Sequence, residues 1–213
     1  MHILRKTIMT SLALVSTMIV TPVMSADTWG SVGLTSDYFF RGASQNGHGP
    51  AAQVMFGANN DRFFGGVWAS QVDFGDEANY EYDFWAGMEV IDRGEGDFGL
   101  DVGVIQYNYD HVIESMEELY VTAEYKMLTA TYYRDRDNSK NTYTEIGVNL
   151  PFIAFADVSL EYGKFGSGGS QANVTVSKDI TDAVVGSLKV MKGAFKSEGI
   201  SRDNVMVAIH YNF

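Results

Sequence analysis

The stretch Tyr80-Glu81-Tyr82-Asp83-Phe84-Trp85-Ala86-Gly87-Met88-Glu89-Val90 decides the fold class of this chain. Tyr80, Tyr82, Phe84, Ala86, Met88 and Val90 fall on one face of an extended strand, while Glu81, Asp83, Gly87 and Glu89 share the other with Trp85. A period of two with one greasy and one wet face marks a strand between two different media. The pattern recurs in Leu119, Val121, Ala123 and Tyr125, set against Glu118, Thr122, Glu124 and Lys126. Ile146, Val148, Leu150 and Phe152 oppose Glu145, Gly147 and Asn149, and Val158, Leu160 and Tyr162 oppose Ser159, Glu161 and Gly163. Phe98, Leu100, Val102 and Val104 alternate as cleanly until Ile105, after which Tyr107 and Tyr109 reverse the phase, so a bulge is expected there.

Extending this reading outward gives about twelve strands: residues 28–39, 51–59, 63–74, 79–91, 97–109, 117–126, 128–135, 141–151, 156–165, 171–178, 184–192 and 203–213. Turn chemistry separates them, as in Asn59-Asn60-Asp61-Arg62, Asp135-Arg136-Asp137-Asn138-Ser139 and Gly166-Ser167-Gly168-Gly169-Ser170. Twelve membrane strands of about ten residues leave about six residues for each connection, an ordinary loop length.

The N-terminus fixes the compartment. Arg5 and Lys6 precede a mostly apolar run from Ile8 to Val20, and the segment closes on Ser25 and Ala26, the pattern of a cleaved secretory signal peptide over residues 1–26. A membrane anchor is the competing reading, but the run falls short of the roughly 18–20 residues a spanning helix needs. Residues 27–213 form the mature part, 187 residues with 13 Lys and Arg against 27 Asp and Glu, a net charge of −14. So acidic a chain repels phosphate backbones, and nucleic acid is excluded as a partner. The absence of Cys removes disulfides, thiolate metal sites and thiol nucleophiles.

Alternation also suits an exported soluble sandwich, whose apolar face turns into a core. Two features favour a membrane barrel. Aromatics gather near the strand ends (Tyr38, Phe39, Phe40, Phe63, Phe64, Phe74, Tyr107, Tyr109, Tyr132, Tyr133, Phe152, Phe155, Phe165), as interfacial girdles require. The chain also ends within a strand, with Val205, Val207, Ile209, Tyr211 and Phe213 on one face. In a barrel that strand pairs with the first, so no edge stays open. The expected fold is therefore all-β: a transmembrane, antiparallel, up-and-down barrel of about twelve strands in the outer membrane of a Gram-negative bacterium. Tyr211 and Phe213 resemble the terminal signature read by the barrel-assembly machinery.

Ser-Asp-Tyr-Phe-Phe-Arg-Gly-Ala-Ser-Gln (Ser36 to Gln45), then Pro50 and Gly-Gly-Val-Trp-Ala-Ser-Gln-Val-Asp-Phe-Gly (Gly65 to Gly75), with Tyr80 to Gly87 and the terminal Tyr-Asn-Phe, resemble the TorF family of porins, long carried as conserved hypothetical proteins of proteobacteria. The likeness is strongest over residues 28–90. It implies an outer-membrane barrel and says little about a solute, since this chain is richer in acids and Met than a typical member.

If the apolar face meets lipid, the alternate residues line the lumen. The pore-lining candidates are Asp37, Arg41, Asp73, Glu81, Asp83, Glu89, Asp101, Glu124, Glu145 and Glu161; Glu118 shares the inward phase, and Lys126, Lys189 and His210 are the few basic or titratable groups beside them. Twelve strands leave a narrow passage that the first loop is placed to obstruct, and a narrow acidic lumen favours cations over anions. This points to passive diffusion of small cationic or neutral polar solutes, with a non-conducting structural or surface-interaction barrel as the alternative. Arg41 is expected to fold over the mouth and clamp Asp37, Asp73 or both. No enzyme, cofactor or metal site is expected: His48, His111 and His210 have no evident Ser partner, and Asp73, Asp76 and Glu77 lack the spacing of a ligand loop. The expected partners are outer-membrane lipid and lipopolysaccharide, the assembly machinery and small polar solutes.

Overall fold

A sheet in lipid cannot end at an open edge, because each unpaired N–H and C=O there would lack a partner. The chain meets this constraint by closing. The computed structural model describes residues 26–213, except 76, 93, 95, 96, 112, 113, 152 and 196–199; the expected leader, Ala26 apart, and Phe152 lie outside these. The strands are β1 (Asp27–Thr35), β2 (Phe39–Phe40), β3 (Ala43–Ser44), β4 (Ala51–Asn60), β5 (Phe63–Gln71), β6 (Tyr80–Ile91), β7 (Phe98–Tyr109) and β8 (Met116–Tyr125), followed by β9 (Leu128–Asp135), β10 (Thr142–Asn149), β11 (Asp157–Phe165), β12 (Ser170–Asp179), β13 (Val184–Phe195) and β14 (Ile200–Asn212). Twelve of them form one antiparallel closed barrel in the order β1-β14-β13-β12-β11-β10-β9-β8-β7-β6-β5-β4, and β2 and β3 form a separate hairpin. Closure is sealed where the amide of Gly30 donates to the Phe213 carbonyl at 2.9 Å and the amide of Phe213 donates to the Gly30 carbonyl at 3.0 Å.

Burial is inverted relative to a water-soluble protein. Leu34 is 62% exposed and Val205 61%, whereas Glu81 and Glu118 are each 1% exposed. Such a surface suits hydrocarbon and not water. Among the described residues no helix is long and apolar enough to cross a membrane, so strands do the crossing. Short turns, such as Asp61-Arg62 and Lys126-Met127, lie at the end that carries Asp27 and Phe213, which makes it the periplasmic end.

Four expectations are corrected. The first strand stops at Thr35 rather than residue 39, and Tyr38, Phe39 and Phe40 turn inward with the β2–β3 hairpin. The last two strands reach further, to Phe195 and back to Ile200, so the final loop is shorter than residues 193–202. No bulge follows Ile105: β7 pairs with β8 without a slip, and Tyr107 and Tyr109 hold the same inward phase as Asp101. The apparent reversal arises because Gln106 and Asn108 replace apolar residues on the outer face as the strand leaves the hydrocarbon. The register shift lies instead between Glu89 and Ile91.

Finally, the aromatics divide between the two faces. Phe63, Phe98, Tyr125, Phe155, Tyr211 and Phe213 stay exposed around the periplasmic end, and Tyr80, Tyr82, Tyr132 and Tyr162 toward the other, as two girdles. Phe64, Tyr107, Tyr133 and Phe165 belong to the interior. There several rings lie flat over a glycine of the next strand: Trp29 over Gly57, Trp85 over Gly66, Phe64 over Gly87 and Tyr120 over Gly103. A side chain at any of these glycines would enter the ring.

This packing yields a test. Gly57→Val should lower the unfolding free energy in lipid vesicles by about 1–3 kcal/mol. Adding Trp29→Ala should recover part of that loss, and strictly additive losses would refute the contact.

Candidate functional site: a hairpin across the lumen

The loop between β1 and β4 runs into the bore and carries β2 and β3. Its tip is Arg41-Gly42, with positive φ at both residues, 48° and 88°, as a two-residue type I′ turn requires. Gly42 supplies one left-handed position freely; Arg41 occupies the other, a conformation uncommon for a residue with a side chain. The turn aims Arg41 at the far wall, since β9 stands opposite β1 in the ring.

There the guanidinium is enclosed. Its Nη1 donates to Glu118 Oε1 at 2.7 Å and its Nη2 to Glu118 Oε2 at 2.6 Å. Cζ lies 4.2 Å from the ring centre of Tyr143, 4.8 Å from that of Tyr133 and 4.7 Å from that of Phe40. The Tyr107 hydroxyl donates to Glu118 Oε2 at 3.0 Å, and the Tyr107 ring packs edge-on to Phe40. A two-point charge-assisted pair among aromatic faces is the strongest arrangement open to an arginine. Arg41 reaches across the bore, and its partner is Glu118 in place of the expected Asp37 or Asp73.

The base of the hairpin is fastened separately. Asp37 lies just beyond β1, accepts from Ser44 Oγ at 2.7 Å and contacts His48 Nδ1 at 2.9 Å. Asp73 lies in the β5–β6 loop, exposed, where the Asp73 amide donates to the Gln45 carbonyl at 2.8 Å and its carboxylate accepts from the Gly75 amide. Both acids therefore serve the loop and not the wall.

The remaining candidates divide by position. Glu81 and Asp83 are buried on β6 behind the hairpin, where Glu81 accepts from the Tyr109 hydroxyl at 3.0 Å and Tyr38 packs on Trp68. Glu89 on β6, Asp101 on β7 and Glu124 on β8 are half-buried, inward and nearer the periplasmic end. Glu145 and Glu161 border a cavity of about 260 Å³ on the opposite side of the hairpin, lined also by Arg41, Gln171, Asn173 and Lys189. Lys189 approaches Glu161 at 3.6 Å. Lys126 departs from expectation: it sits in the β8–β9 turn, 3.6 Å from Asp97. A second cavity of about 360 Å³, toward the periplasm, is lined by Met55 and Trp68 as well as by Ser31, Gln53, Thr175, Ser187 and His210. Tyr133, Tyr143 and Gln171 are site residues that sequence reasoning passed over, and only the inward phase of their strands marks them.

Two outcomes are expected. Arg41→Ala should cost about 3–5 kcal/mol by leaving Glu118 charged and buried, and combining it with Glu118→Gln should cost less than the sum of the single changes in a denaturation cycle. The second outcome concerns the outer rim, where the Asp110 carboxylate accepts from the Asn79 and Tyr80 amides at 2.8 and 3.1 Å. Desolvation pushes Asp110 up, but those two amides, with His111 beside them, outweigh it and hold the group below the usual carboxylate range. The ionised form therefore steadies the rim above the unfolded value of about 3.9, and that contribution fades as the pH falls through the lower folded value. Amide-exchange protection at Asn79 and Tyr80 should hold from neutral pH to about pH 4 and drop below it.

The barrel is similar to solved structures of the KdgM porin. One has a TM-score of 0.61 at 10% identity, covering 88% of this chain and 99% of that one. Another, the KdgM porin in complex with disordered oligogalacturonate, has a TM-score of 0.59 at 9% identity, covering 88% and 99%. These likenesses describe a shared fold, the outer-membrane barrel, and the lipid-facing exterior puts this chain in the outer membrane of a Gram-negative bacterium. No curated protein matches it in sequence. A family model described as "Bacterial protein of unknown function (Gcw_chp)" matches residues 22–201; it carries the Gcw_chp name and leaves the TorF name of the resemblance without support. The chain belongs to the Gcw_chp family.

Proposed function

We propose that the protein is a narrow outer-membrane channel for passive diffusion of small cationic or neutral polar solutes. The observation that carries this reading is the sign of the inward face. Glu81, Asp83, Glu89, Asp101, Glu118, Glu124, Glu145 and Glu161 take the inward phase of their strands; Glu81 and Asp83 are buried behind the hairpin and Glu118 is held by Arg41, so Glu89, Asp101, Glu124, Glu145 and Glu161 are the half-buried acids that face the bore. Lys189 and the loop's Arg41 are cations set against them. A surplus of carboxylates over cations in a confined bore raises the local concentration of cations and depletes anions. The KdgM porin has been solved with oligogalacturonate, an oligomer of a sugar acid; an acidic wall opposes such a solute here. The route favoured by packing runs past Glu145, Glu161 and Lys189, on the side that the hairpin leaves open.

The same hairpin supports a second reading, a non-conducting barrel, because its tip reaches the far wall. In either case, lipid and lipopolysaccharide surround the barrel, and Tyr211 and Phe213 on the closing strand serve as the handle for the assembly machinery.

In planar bilayers under a salt gradient, the reversal potential should take the sign of cation preference. Arg41→Ala should raise conductance, and graded sugars and amino acids should swell vesicles up to a small size limit. Anion preference would overturn the solute class, and no uptake at any size would favour the non-conducting barrel.

A further inference from the structure

The wall that holds Arg41 is complete without the hairpin. Glu118 belongs to β8, Tyr107 to β7, Tyr133 to β9 and Tyr143 to β10, four neighbouring strands of the closed sheet. Of the groups around the guanidinium, Phe40 alone arrives with the loop. Tyr107 already orients the carboxylate from the wall. The Gln171 side-chain amide donates to the Tyr143 hydroxyl at 2.7 Å and fixes that ring from β12. A rigid fork acceptor flanked by two fixed ring faces matches a planar cation and not merely a positive charge. A guanidinium satisfies both carboxylate oxygens while stacking, whereas an ammonium is a point charge that cannot.

We propose that this pocket is a recognition site for the guanidinium group, with Arg41 as its built-in occupant, and that solutes of the arginine class compete with Arg41 for it. The inference deepens the channel reading and rests on it for the route by which solute arrives. Two observations support exchange of the occupant. Arg41 sits on a left-handed turn position that is uncommon for a residue with a side chain. The 260 Å³ cavity also opens onto Arg41, Tyr133 and Tyr143, so an incoming solute meets the pocket directly. The carboxylates of Glu145 and Glu161 on the rim of that cavity suit the α-ammonium group of arginine. Arg41 thereby acts as an internal competitor that sets how much free solute is needed to occupy the site.

The test is calorimetric titration of L-arginine, with L-lysine as comparator, into the folded, full-length barrel in detergent. Arg41→Ala should bind L-arginine at least about tenfold more tightly than the unaltered protein, which must first give up its own occupant. The same variant should prefer L-arginine to L-lysine by about tenfold, and adding Glu118→Gln should abolish the gain. Equal affinity in the unaltered protein and Arg41→Ala, no preference for arginine, or indifference to Glu118→Gln would each overturn the proposal. Should Arg41→Ala fail to fold, Arg41→Lys keeps a cation at the tip without the fork: binding tighter than the unaltered protein supports the proposal, and unchanged binding refutes it. Conduction plays no part in this readout. A barrel that binds arginine selectively but passes no ions keeps the site and loses the channel, and one that conducts without selectivity for arginine does the reverse.

Discussion

Every feature of this molecule depends on the closure of its sheet. In hydrocarbon no water is available to satisfy an open strand edge, and an unpaired backbone group costs several kcal/mol. The reciprocal pair between Gly30 and Phe213 extends the β1–β14 ladder to the last residue of the chain. Once the ring is closed, each strand must place alternate residues inside and outside, and the inversion of burial follows. The carboxylates are inside because the wall has only two faces and lipid occupies the other.

Closure also creates an interior that must be filled or wetted. Near the outer end it is filled, by the hairpin and the rings of Tyr38, Phe40 and Tyr107; toward the periplasm a cavity remains. Glycines opposite aromatic rings let the bulkiest side chains lie against the wall and not across the bore. Arg41 crosses what remains. Glu118, nearly inaccessible, is tolerable as a buried charge only because the guanidinium meets both of its oxygens and Tyr107 donates as well.

Much of the barrel was legible because lipid imposes a two-residue period that few other environments enforce so strictly, and the twelve barrel strands fall close to the expected ranges. Where the reading failed, it treated the outer face as uniformly apolar. Gln106 and Asn108 on β7 belong above the hydrocarbon, so the polar residues there looked like the inner face and the tyrosines beside them like the outer. Tyr38, Phe39 and Phe40 read as more strand for the same reason. The partner of Arg41 was not legible, because it depends on which strand stands opposite β1 in a closed ring. The sequence of Glu118 differs in nothing from the other inward acids; its distinction is its height and azimuth in the barrel. Arg41-Gly42 did carry a signal, since Gly at the second position of a two-residue turn between short aromatic pairs marks a hairpin tip.

The hairpin leaves β1 and returns to β4, which are themselves direct neighbours in the ring. The excursion is therefore a self-contained cassette whose two ends are already joined by a ladder that does not need it. It crosses to the far wall without entering the strand order or register of the ring. What the bore admits is thus set by a segment that the hydrogen bonding of the wall does not require.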